Sequence, residues 1–228
     1  MIKEIIDKLV ALLAVSALLA SCSESELWQN PQTEARDGYI MLNFKTEIPA
    51  MQEVVTRAVD PDGGGVQDMT LFCFDSYGLF ISTVKAGVTV QKPGPGEMEG
   101  TFKAEVPENT RTIHFLANQN MDEFKEDSFR NKSESEVMAV LEGSSGRMIY
   151  WGRFACDAGN DSNIAEQMAT SGNSVKLIRN HARISVDNPD NNGHIVITGF
   201  AVCNTNAFGT VAPHHPKKGF DFTWPSSD

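Results

Sequence analysis

A chain of 228 residues is long enough to bury one or two cores. Hydrophobic residues make up 41% and charged residues 21%, ordinary globular usage that excludes wholesale disorder. The formal net charge of −11, with no basic patch, argues against nucleic acid as a partner and for a well-solvated exterior.

The N-terminus speaks to compartment. Leu9 to Leu19 is an apolar run of Leu, Val and Ala broken by Ser16, too short for a permanent membrane span, and it reads as a secretion signal. The run ends in Leu19-Ala20-Ser21-Cys22, which resembles the bacterial lipobox, where the leader is cut away before a cysteine that then carries acyl chains. The expectation is a signal peptide over residues 1–21 and lipidation at Cys22, which would anchor the protein to outer-membrane lipid. Glu4 and Asp7 offset Lys3 and Lys8, so the leader lacks the usual positive charge and its removal leaves the net charge at −11. Ser23-Glu24-Ser25-Glu26 either resembles the acidic signal that sends Bacteroidota lipoproteins to the cell surface or is a solvated part of the polar tether over residues 22–37.

From Gly38 the pattern becomes that of strands. Ile40, Leu42 and Phe44 alternate with Met41, Asn43 and Lys45, a half-buried first strand with a mostly polar outer face. Thr56-Arg57-Ala58 then leads into Asp60-Pro61-Asp62-Gly63-Gly64-Gly65, too rich in turn formers to pair. Gln67 to Asp75 is apolar on both faces in its middle, as in a central covered strand. Ser76-Tyr77-Gly78 turns it into Leu79 to Val84, making a hairpin. Val88 to Gln91 is a short strand ended by Pro93-Gly94-Pro95-Gly96. Thr101 to Val106 alternates with Phe102, Ala104 and Val106 inward, and Thr112 to Asn118 follows, with His114 as an outward or internally satisfied histidine.

Ser133-Glu134-Ser135-Glu136 has capping-box spacing and opens the one predicted helix, with Val137, Val140 and Leu141 on its apolar face. Met148 to Phe154 is an aromatic strand, Asp157 to Asn173 a long surface loop, and Val175 to Val186 a further strand. His194 to Val202 is the last, and Ala207 to Pro213 closes the region. Short strands at regular spacing with one short helix predict an all-β sandwich.

In this order the fragments resemble a family. The lipobox, the early strand with Thr56-Arg57-Ala58, the hairpin Leu71 to Gly78, Ile113-His114-Phe115-Leu116-Ala117-Asn118, Tyr150-Trp151-Gly152 and Leu177 to Ile184 are similar to the fimbrillins, the type V pilin subunits of Bacteroidota. The resemblance covers roughly Cys22 to Pro213. It implies a transthyretin-like Greek-key sandwich over residues 38–213, with residues 214–228 a tail or the truncated start of a C-terminal domain. It also implies an arginine-specific protease that cuts between Arg57 and Ala58. The first strand, with Tyr39, Ile40, Leu42 and Phe44, would then be displaced and replaced by a strand of another fimbrial subunit. The fimbrillin pattern has a second sandwich, for which His214 to Asp228 is too short. That departure favours a terminal or accessory role over the repeating shaft.

Enzyme signatures fail on spacing. Gly94-Pro95-Gly96-Glu97-Met98-Glu99-Gly100 is a turn, not a dinucleotide loop; Gly143-Ser144-Ser145-Gly146 follows a helix, unlike a nucleophile elbow. A calcium loop from Asp60 would place Leu71 at its twelfth position, where no ligand is available. His214-His215 with Cys203 fits a tail better than a metal site, so no catalytic residue, metal or cofactor is expected. Cys73, Cys156 and Cys203 are an odd set, either one bridge and a free thiol or, preferably, three buried small hydrophobes. The alternative function is a surface lipoprotein that binds glycans or host ligands without polymerising, stacking sugars on Trp151 or Trp224.

Overall fold

The computed structural model describes residues 35–47, 66–93, 98–144, 148–180, 197–203 and 208–223. Its main strands are β1 (Tyr39–Glu47), β2 (Met69–Phe74), β3 (Phe80–Lys85), β4 (Gly87–Pro93), β5 (Met98–Pro107) and β6 (Thr112–Ala117). After these come α1 (Glu134–Met138), β7 (Glu142–Ser144), β8 (Tyr150–Ala155), α2 (Ile164–Thr170), β9 (Ser174–Lys176) and β10 (Ile178–Arg179). The described chain closes with β11 (Phe208–Thr210), β12 (His214–His215) and β13 (Gly219–Phe220). One sheet has the order β4-β5-β1-β9 and the other β10-β8-β6-β2-β3. The path leaves the second sheet after β3, runs β4 to β5 in the first, and returns so that β6 lies beside β2, a Greek-key winding. The protein is an all-β sandwich, as its periodicity predicts.

The inter-sheet core follows from alternation. β1 and β5 pair antiparallel with Ile40 opposite Val106, Leu42 opposite Ala104 and Phe44 opposite Phe102, so all six side chains leave the first sheet on its inner side. They meet Leu71, Cys73, Ile113, Phe115 and Tyr150 from the second sheet. Phe44 is fully buried, stacked on Phe102 with ring centroids 5.5 Å apart and edge-on to Phe115 at 5.0 Å. Each such ring pair adds about 1 kcal/mol beyond the area it buries.

Turn chemistry fixes the register of the β2–β3 hairpin. Asp75 Oδ1 accepts hydrogen bonds from the backbone N–H of Tyr77 (2.8 Å) and Leu79 (3.0 Å), and Gly78 takes the positive φ of +71° that the reversal requires. At α1 the capping box forms as its spacing predicts, with Ser133 accepting from the Glu136 N–H and Glu136 returning to the Ser133 N–H.

Several expectations are corrected. The stretch Asp157 to Asn173, read as a loop, contains α2. Asn163 caps it, a second capping box forms with Glu166, and Ile164, Ala165 and Met168 enter the inter-sheet core. The turn formers before Asn163 hid that helix. Val140 is exposed because α1 ends at Met138, before the helical period reaches it; Met138 is buried instead. Met41, placed on the polar face of β1, is buried as well. Residues 197–203 form no strand, and Ile197, Phe200, Val202 and Cys203 are exposed. Of residues 214–228, read as a tail or the truncated start of a further domain, the described part 214–223 turns back in the β12–β13 hairpin and lays Phe220 and Phe222 against the outer face of the second sheet.

The predicted strand Val175 to Val186, of which residues 181–186 lie outside the described residues, also divides in its described part. β9 runs parallel to β1 in the first sheet, whereas β10 pairs with β8 in the second, with buried Leu177 between them. This crossing passes close over Gly152. A Cβ there would stand 2.7 Å from the Lys176 carbonyl oxygen and 2.8 Å from Leu177 Cδ2. Gly152→Ala is therefore expected to cost about 1–3 kcal/mol of stability in urea unfolding, as overpacking does. An unchanged midpoint would show that the crossing relaxes freely.

Candidate functional site

Of the residues predicted to carry function, Cys22, Arg57 and Ala58 lie outside the described residues. The first strand is described throughout. β1 is flanked on one side by β5, from Tyr39 opposite Pro107 to Thr46 opposite Gly100, and on the other by β9 over Lys45 to Glu47. Ile40, Leu42 and Phe44 point into the core, as alternation requires. Tyr39 does not; it is 38% exposed and lies under the Arg36 guanidinium, 4.3 Å from its ring centroid. Arg36 also pairs with Glu105 on β5 at 2.7 Å. Thr46 is fully buried, and its Oγ1 has no hydrogen-bond partner among the described residues.

The geometry defines what the position of β1 can do. Without β1, the β5 edge would present unpaired donors and acceptors beside three apolar pockets, the deepest walled by Phe102 and Phe115. Such a groove recognises an extended peptide by main-chain hydrogen bonds and reads its alternate side chains.

A second constellation lies on the opposite face of the second sheet. His114 on β6 is fully buried, and its register partner on β8 is Arg153. Trp151 Nε1–H donates to His114 Nδ1 at 3.0 Å, which assigns the imidazole proton to Nε2; that N–H donates to Glu134 Oε2 at 2.7 Å. Arg153 grips the same carboxylate twice, Nε to Oε2 at 2.7 Å and an outer nitrogen to Oε1 at 3.1 Å. Phe222 closes the set, edge-on to His114 at 4.8 Å, with Arg153 over its ring at 5.7 Å.

The charges here are tuned by this packing. Burial lowers the affinity of His114 for a second proton, and Arg153 opposes that proton further; Glu134 acts the other way but does not prevail. Burial on its own would push the Glu134 carboxyl up. The hydrogen bonds from His114 and Arg153 and the positive charge of Arg153 outweigh it and hold the group down at about 2. Both ring nitrogens of His114 and both carboxylate oxygens of Glu134 thus have partners inside the network.

Sequence reasoning took His114 as an outward or internally satisfied strand residue; it is buried and internally satisfied, not outward, and that reading did not join it to Glu134, Arg153 and Trp151. The strand pattern put His114 and Trp151 each on a strand; that β6 and β8 are paired, and that Glu134 reaches them, needed the fold. Trp151 is 1% exposed, which denies it the role of a sugar-stacking platform; Trp224 lies outside the described residues. The three cysteines after Cys22 are all free. Cys73 is buried, with its thiol pushed up to about 12 chiefly by burial; Cys156 is half-buried and Cys203 exposed, which corrects the expectation of three buried thiols. Among the described residues, no three of His, Cys, Asp and Glu gather where they could hold a metal ion.

No protein-family model, curated protein or solved structure matches the chain.

The acid response of the network follows from Glu134. Its folded-state affinity for protons lies below the ordinary 4.5, so its contribution is present above that value and is lost as pH falls toward about 2. Glu134→Gln is expected to lose about 2–4 kcal/mol near neutrality, because it leaves Arg153 and His114 without their charged partner. Urea unfolding at about pH 6 and about pH 3 should then show a smaller acid-induced loss in the variant than in the wild type. Equal losses in both would remove Glu134 from the acid response.

Proposed function

We propose that this chain is a fimbrial subunit or accessory protein of the type V pilus kind, serving cell adhesion. It is exported as a lipoprotein and held in the outer membrane by acyl chains on Cys22. An arginine-specific protease cuts between Arg57 and Ala58, β1 leaves, and a strand of another fimbrial subunit takes its place.

The observation that supports this reading is the setting of β1. Its side chains fill the centre of the core, yet the strand is joined to β2 through a segment that carries Arg57 and six turn-forming residues. β1 lies between β5 and β9, so its departure would leave a slot bounded by strands, not a frayed margin. A slot of that kind holds an incoming strand by hydrogen bonds to the β5 backbone and by apolar anchors spaced like Ile40, Leu42 and Phe44. The uncut chain has that slot filled by its own strand, which keeps the precursor from assembling early.

The competing reading, a surface lipoprotein that binds glycans or host ligands without polymerising, needs β1 to stay. The two part on one experiment. Protein recovered from the cell surface is treated with an arginine-specific protease, and its intact mass and N-terminal sequence are determined. The expected product begins at Ala58, has lost the lipidated leader and forms higher oligomers. A stable product that still begins at acylated Cys22 would overturn the strand-exchange mechanism.

A further inference from the structure

The segment 208–223 has an odd relation to the rest of the fold. It contributes no strand to either main sheet, yet Val211, Ala212, Phe220 and Phe222 cover the outer face of the second one. Its own backbone bonding is thin. β11 meets β7 over Phe208 to Thr210, and the β12–β13 hairpin pairs only His214 with Phe220 and His215 with Gly219. A segment held by so few ladder bonds opens locally at far lower cost than the strands beneath it.

What it covers is the Trp151–His114–Glu134–Arg153 network. Phe222 rests edge-on against the His114 ring and shields it from water. The groups facing His114 can be named element by element. β2 presents Phe72 and Phe74, α1 presents Glu134, β8 presents Trp151 and Arg153, and the segment itself presents Phe222. The titratable or charged groups in that set are Glu134 and Arg153, and they already satisfy each other through two hydrogen bonds. Asp221 turns aside to Thr223.

We propose that residues 208–223 are an acid-released strap, latched over the second sheet by neutral His114. In the closed form Nδ1 must be bare to accept the Trp151 N–H. A proton added there sets two N–H groups against each other and puts a second cation, shut off from water, beside Arg153. Opening the strap lets water reach the imidazolium, so protons favour the open form. Because burial lowers the affinity of His114 in the closed state, the direction is fixed: closure is complete above the ordinary 6.5 and is lost as pH falls below it. Each pH unit below that point raises the opening constant by at most about tenfold, so by about pH 5 the rise is at most about 30-fold. Glu134 stays charged across most of that interval, which separates the two titrations.

The test is hydrogen exchange on the whole chain, read as protection factors at about pH 7 and about pH 5. The expected result is a fall of up to about 30-fold in residues 208–223, with β1 and β5 unchanged. His114→Gln can accept from Trp151 and donate to Glu134 but cannot titrate, and its strap protection should be the same at both pH values. Phe222→Ala leaves the histidine in place but removes the cover, and its strap should exchange rapidly at both, which serves if the glutamine variant does not fold. Equal strap protection at both pH values in the wild type, loss of strap and core together, or a wild-type response in His114→Gln would each overturn the proposal.

Discussion

Every residue of β2 and of β6 is buried. A strand with no alternation between dry and wet sides is stable only in a sheet covered on both faces, so the second sheet needs two roofs. The first sheet supplies one, through Ile40, Leu42, Phe44, Phe102, Ala104 and Val106. The other is assembled from pieces: α1 through Val137 and Met138, the approach to β7 through Leu141, and the 208–223 segment through Val211, Ala212 and Phe222. The two roofs differ in kind. The first is a hydrogen-bonded sheet, and the second is a patchwork whose parts are fastened by side chains.

That difference explains where polar groups are buried. The inter-sheet core is almost wholly apolar, whereas the outer face carries His114 and Trp151 and the carboxylate of Glu134. A short helix of one turn and a half has little stability of its own. Its attachment at a defined place depends on Glu134, which sits in its first turn and reaches both β6 and β8. A buried ion pair adds little net stability over an apolar contact, yet it discriminates sharply between one docking geometry and another.

The inter-sheet half of this design is written plainly in the sequence. Period-two alternation marks Ile40 to Phe44 and Phe102 to Val106, and the doubly apolar run from Met69 to Phe74 marks a central strand. The outer roof is less legible because its pieces are too short to show a period. α2 hides among turn formers, and the aromatic Phe220 and Phe222 are interrupted by Asp221, as in a solvated tail. The candidate groove is legible as a strand followed by an arginine and a loop. The histidine network is not, because nothing local ties Glu134 to residues 20 positions before it and 19 after it.

The crossing from β9 to β10 joins these two halves by a single length of backbone. β9 has β1 as its strand partner, and two residues past its end Ile178 is opposite Trp151. The passage is closely packed, since Gly152 leaves no room beneath it for a side chain. The same short stretch thus pairs at one end with β1 and at the other with the strand that bears Trp151 and Arg153. The inner slot and the outer roof, on opposite faces of the second sheet, are thus brought together along the short stretch of main chain from Lys176 to Ile178.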